Sequence, residues 1–155
     1  MIGTYLVVND EELEKIKSGE LSLWDIKENA CDIDKAWHVI QYMFTGELAD
    51  GEPPYGYIVP MIAELLLPEV ETDYGVFCLS EEQAAEAYTC IKGMTEAEFK
   101  EQFTFDEMAE AGVYPIVDDE DPEELFQYIW ANFQALQDFY KMAAEGKQKV
   151  IFYIS

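Results

Sequence analysis

The stretch from Asp121 to Ser155, DPEELFQYIWANFQALQDFYKMAAEGKQKVIFYIS, decides the fold. Asp121 offers an N-cap, Pro122 suits the first helical position, and Glu123 and Glu124 place negative charge at the positive end of the helix dipole. Leu125, Ile129, Phe133, Leu136, Tyr140 and Ala143 then recur three or four residues apart, so they share one helical face. Phe126, Trp130 and Phe139 widen that stripe, and Gly146 closes the helix. At ~1.5 Å per residue this is the longest rod in the molecule. Lys149 to Ser155 follows as a strand that is apolar on both faces, which suits a central strand covered on each side. A long helix beside a doubly covered strand predicts an α+β fold: a small mixed sheet with several helices packed on it.

Upstream segments fit that frame. Thr4 to Val8 is β-branched and aromatic and predicts a strand. Asn9 with Glu12 sets up a capping box for a helix that Gly19 stops. Asp32 to Phe44 predicts a second helix, with Ile33, Trp37, Ile40 and Phe44 on one face, Asp32 or Asp34 as cap and Gly46 as its end. Gly51, Pro53, Pro54 and Gly56 make the stretch from Glu47 to Tyr57 a loop. Pro60 to Leu67 predicts a helical segment bounded by Pro60 and Pro68. Tyr74 to Leu79 predicts a strand. Ser80 and Gln83 box the next helix, ended by Gly93. Thr95 with Glu98 and Thr104 with Glu107 repeat the device for two short helices, and Val113 to Val117 predicts an extended segment. No repeat or linker is visible, so residues 1–155 are expected to form one domain.

Composition bounds the function. The chain has 155 residues, half of them hydrophobic, enough to bury a core without staples. It carries 33 acidic residues against nine basic ones, a net charge of −24, where small domains usually carry a magnitude of roughly 2–8. Phosphate backbones and anionic membranes would be repelled, so no nucleic acid and no membrane surface is expected as a partner. A basic protein would be attracted and steered. Cys31, Cys78 and Cys90 are odd in number and lack Cys-x-x-Cys spacing, so reduced thiols are expected. No signal-peptide pattern and no run of 18 apolar residues is visible. A cytoplasmic location is the expectation that follows.

Candidate chemistry gathers at one point. His38 is the single histidine, and Asp34 stands one helical turn before it, where the two side chains can meet and a carboxylate would favour the protonated ring. Asp34, Trp37 and His38 could therefore line a cleft for a small molecule, and Tyr114, like Tyr55, Tyr57 and Trp24, lies near a loop where it could line a pocket or an interface. The alternative for the same residues is a helix cap, a surface ion pair and a core tryptophan. No standard metal site can be assembled from one histidine and three scattered cysteines, the acidic run Asp118 to Asp121 lacks the ligand spacing of a calcium loop, and no phosphate-cradling glycine loop is present. No cofactor is expected.

The run Cys31-Asp32-Ile33-Asp34-Lys35-Ala36-Trp37-His38, continuing to Phe44-Thr45-Gly46, resembles the YfbM-like family of uncharacterised bacterial proteins. Tyr74-Gly75 before the capped helix at Ser80, the pair Tyr114-Pro115, and the ending from Phe139-Tyr140 through Ala143 to Gly146 also resemble it. The chain departs from the family at Val76-Phe77-Cys78, where members carry Pro-Ala-Arg, and at Ile116-Val117-Asp118, where members place a tryptophan. The resemblance implies an α+β fold of that family's type and no assigned reaction, and it raises an immunity-type role against toxins. Together with the charge, it leaves three expectations: an acidic, non-enzymatic protein that binds a basic partner, which is the favoured one; a small-molecule protein or enzyme using a cleft near Asp34, Trp37 and His38; or a nucleic-acid mimic whose rows of carboxylates imitate phosphates.

Overall fold

The computed structural model describes residues 1–155. Strands β1 (Gly3–Val8), β2 (Cys31–Asp32), β3 (Val76–Leu79) and β4 (Lys149–Ile154) form one sheet in the order β2-β1-β4-β3. The fold is α+β, as its residues predict, but the sheet is antiparallel at all three pairings rather than mixed. The final strand enters between β1 and β3 and opposes both, so no pairing needs a parallel crossover. The β1–β4 register runs from Gly3 opposite Ile154 to Val8 opposite Lys149, and reciprocal backbone bonds between Ile2 and Ser155 (2.6 and 3.0 Å) extend it.

The central strand is covered on both sides, and its alternation splits the interior in two. Val150, Phe152 and Ile154 face the larger core with α2 (Trp37–Thr45), α3 (Glu81–Ile91), α4 (Glu96–Glu101), α5 (Phe105–Ala111) and α6 (Pro122–Glu145). Ile151 and Tyr153 face a smaller one with Leu13 and Ile16 of α1 (Asp10–Ser18), Leu23 and Leu67. Every stripe residue named for the long helix is buried except Trp130, which is half-buried against the core, and the cap forms as its sequence predicts: Asp121 Oδ1 accepts from the amides of Glu123 and Glu124 at 2.9 and 3.1 Å. No helix is long and apolar enough to cross a membrane.

Local devices succeed where nothing distant competes. The Asn9–Glu12, Ser80–Gln83 and Thr95–Glu98 boxes all close. Thr104 makes no cap bond; Glu107 instead accepts a hydrogen bond from Tyr42 on α2 at 3.1 Å. The second predicted helix starts late: a short Asx turn, with Asp32 Oδ1 accepting from the Asp34 amide, leads through a 3-10 turn at Asp34–Ala36 into α2. Residues 60–67 form no α-helix, only a 3-10 turn at Ala63–Leu65. The Leu67 amide donates to Val76 O at 2.8 Å, so this segment covers the outer edge of β3 and protects it from stray pairing. Residues 113–117 turn rather than extend, because the Ile116 amide returns to Val113 O.

The loop after α2 is tied into the core from below. The hydroxyls of Tyr5 and Tyr140, both fully buried, donate to Ile58 O at 2.8 and 3.0 Å, and Tyr140 also reaches Tyr57 O at 2.8 Å. Burial pushes both phenols well above the ordinary tyrosine range, so both remain donors. This anchor fixes the floor from which residues 47–57 rise.

Candidate functional site

The structure brings together three of the four residues singled out in the sequence. Trp37 stacks on His38 with ring centroids 5.0 Å apart, and Tyr114 lies 5.8 Å from Trp37. Asp34 is not with them. Its Oδ2 accepts from Tyr128 Oη on α6 at 2.7 Å, and that hydroxyl in turn accepts from the Lys35 amide at 2.9 Å. Asp34 takes a positive φ of 49°, which turns its carboxylate toward α6 and away from His38. The Asp34–His38 pair expected from helical spacing therefore does not form, because the helix proper starts only at Trp37.

His38 is a clamp. The Tyr114 amide donates to Nδ1 at 3.0 Å, so the proton sits on Nε2 and is donated to Leu48 O at 3.1 Å. One ring thus ties the 47–57 loop and the turn after α5 to α2. The expectation of a protonated ring is overturned. Burial lowers its pKa below the ordinary value, outweighing the upward pull of the Leu48 carbonyl. None of the principal surface clefts is lined by Asp34, Trp37, His38 or Tyr114.

The sign of the pH dependence follows. The folded-state pKa lies below that of the unfolded chain, so unfolded protein takes the proton first as pH falls. The stability that the clamp contributes is present above ~6.5 and is lost as pH falls through the folded value. We expect the native protein's advantage over His38→Gln in urea midpoint to be constant above pH ~7 and to shrink toward pH ~5. A gap that stays constant throughout that range would refute the neutral clamp.

The clefts lie elsewhere, on the loop that His38 holds. One, of about 540 Å³, lies between Pro53, Pro54 and the α3 residues Ala85, Glu86, Thr89 and Cys90. A second, of about 580 Å³, is bordered by Asp50, Gly51, Glu52, Tyr57, Glu64 and Gln83 among others, and shares Pro53 with the first. Asp50 shapes this wall: its amide donates to Met61 O at 3.0 Å and its Oδ1 accepts from the Ala63 amide at 2.9 Å. Behind Gly51 lies Gln41, the one buried polar side chain of the protein, only 1% exposed, with neither amide atom partnered. Such a group costs about 1–3 kcal/mol if nothing satisfies it.

Every one of these lining residues falls between Lys35 and Lys92, a span with ten carboxylates and no basic residue. That gap in the lysines is the signal for these clefts that the sequence carries. Across the chain only Asp10, Glu11, Glu14 and Glu123 stand within 4.0 Å of a lysine. All three cysteines are unpaired; burial raises their pKa values, that of Cys31 to about 12, which keeps them protonated and poorly nucleophilic. No group of three or more His, Cys, Asp or Glu residues is placed to hold a metal ion.

The family described as "Domain of unknown function (DUF1877)" matches residues 1–153. A crystal structure described as that of YfbM from Escherichia coli, a protein of unknown function, superposes over 100% of both chains with a TM-score of 0.72 at 17% identity. That likeness is one of fold. No curated protein matches the chain in sequence.

Proposed function

We propose, from the premise that this chain belongs to the DUF1877 family of unknown function, that it is a non-enzymatic interaction protein for a basic protein partner. One observation carries this reading: 33 carboxylates meet nine lysines, and only four of those carboxylates have a lysine at hand. The remaining charge is uncompensated and faces solvent. A field of that kind concentrates cations, raises association rates and selects against acidic partners. The residues nearest to catalytic types are otherwise engaged. Both nitrogens of His38 bind backbone groups, and the thiols are held protonated. A small-molecule cleft at Asp34, Trp37 and His38 therefore has no support in the geometry.

This reading places the encounter in the cytoplasm, supported by three unpaired cysteines. The test is to capture the partner from the native host at low salt, identify it, and titrate the purified pair. We expect a basic protein whose Kd weakens about tenfold or more between ~30 and ~300 mM salt, as the Debye length shrinks. An acidic partner, or a Kd indifferent to salt, overturns the proposal.

A further inference from the structure

The two clefts have Pro53 in common and adjoin along a groove between residues of the 50–65 segment and of α3. Its floor and its rim differ in chemistry. Pro53, Pro54, Ala85 and the half-buried Cys90 give one end an apolar surface. Asp50, Glu52, Glu64 and Glu86 set carboxylates along the length, and none of these four is paired with a lysine. No basic residue lines either cleft. The walls are held firmly: His38 fixes Leu48, and Tyr5 and Tyr140 fix Ile58, so the groove is preformed.

The wall at Gly51 is closely backed from inside. The Gln41 amide is buried with no partner, and its Nε2 stands 3.2 Å from where a Cβ of Gly51 would sit. Gly51 lines the groove and lies against that amide. The amide is sealed behind Gly51 and does not itself line the cleft, so it belongs to the packing under the wall.

We propose that this groove docks an extended segment of the basic partner in which lysine or arginine side chains alternate with apolar ones. The cationic heads meet Asp50, Glu52, Glu64 and Glu86, while the apolar side chains lie on Pro53, Pro54 and Ala85. A free polyamine would satisfy the rim alone and leave the apolar end uncovered. The inference rests on the interaction function proposed above, and it adds the place and the form of the contact.

The probe is a synthetic peptide of alternating lysine and leucine, titrated by calorimetry against three proteins. These are the native chain, a groove triple variant (Glu52→Gln, Glu64→Gln, Glu86→Gln), and a charge-matched variant remote in sequence (Asp106→Asn, Glu110→Gln, Glu120→Gln). Five of the six positions are exposed, and Glu120 is half-buried at the end of a turn with its side chain in no hydrogen bond or ion pair, so both variants are expected to retain the fold. We expect the groove variant to weaken binding about tenfold or more and the remote variant less than about threefold. The peptide should also bind more tightly than one with serine in place of leucine. Equal losses in the two variants, or indifference to the leucines, overturn the groove while leaving a diffuse acidic binder intact. Failure of the native chain to bind the peptide at low salt counts against the groove and its premise together. Binding of the natural partner that survives the groove variant overturns the groove alone.

Discussion

Phe133→Ala is expected to lower stability by about 3–5 kcal/mol, the range for emptying a fully buried aromatic position. Phe133 has no exposed surface and stacks on Phe99 with centroids 4.2 Å apart and planes 11° apart. Phe44 and Trp130 complete the cluster at 5.6 and 5.9 Å. Those rings come from α6, α4 and α2, so one side chain joins three helices, and the cavity left by alanine has rigid walls that cannot collapse onto it. Domains of this kind have only about 5–15 kcal/mol of total stability. Thermal unfolding should therefore shift down by roughly 10 °C or more. Phe103→Ala is the comparison: its ring packs at the half-buried margin of the same core, and truncation there should cost distinctly less. Equal losses at the two positions would show that the stack is not the keystone of the helical layer.

Gly56→Ala is expected to cost about 3 kcal/mol, at the upper end for overpacking. A Cβ on Gly56 would overlap the carbonyl oxygen of Gly51 and stand 2.6 Å from its carbonyl carbon. The obstacle is backbone, so no rotamer change relieves it. Gly51 cannot retreat either: its own Cβ position is already filled by the methyl-bearing side chain of Thr45, whose Cβ lies 2.8 Å away. The Gly56 amide also bonds Glu52 O at 2.8 Å, which closes the turn carrying Pro53 and Pro54. The variant should thus show two losses, a lower urea midpoint and, because the displaced turn carries Pro53 and Pro54 of the groove wall, weaker binding of the lysine–leucine peptide. Full native stability in the variant would mean that the two glycines do not set the shape of the loop.

These two positions separate what sequence reveals from what it hides. Phe133 was visible as core from its spacing alone, because a helix repeats every 3.6 residues and a stripe of apolar side chains has one place to go. The need for glycine at position 56 depends on Gly51 folding back against it, a contact that no local pattern announces. The capping boxes divide likewise. Ser80–Gln83 closes because its partners are three residues apart, whereas Thr104–Glu107 stays open because Tyr42, distant in sequence, takes the carboxylate. The helix predicted for residues 60–67 had the right prolines at its ends, yet its amides turn back locally and that of Leu67 pairs with Val76 O at the open edge of β3.

The candidate site shows the same limit. One continuous helix from Asp32 would put Asp34, Trp37 and His38 together, and a single residue at positive φ breaks that geometry. What His38 does could not be read from its neighbours in sequence, since both groups it binds, Leu48 O and the Tyr114 amide, arrive from other segments.

By itself, the sequence determined the α+β class, the long amphipathic helix, the doubly buried final strand and the excess of negative charge. Each of these depends on residue type and short-range periodicity, and both are written along the chain. Tertiary structure alone decided the antiparallel order β2-β1-β4-β3, the neutral histidine clamp and the acid-rimmed groove between residues 50–65 and α3. Those depend on which distant groups come within a few ångströms, and burial and hydrogen bonding are settled only once the chain has closed on itself.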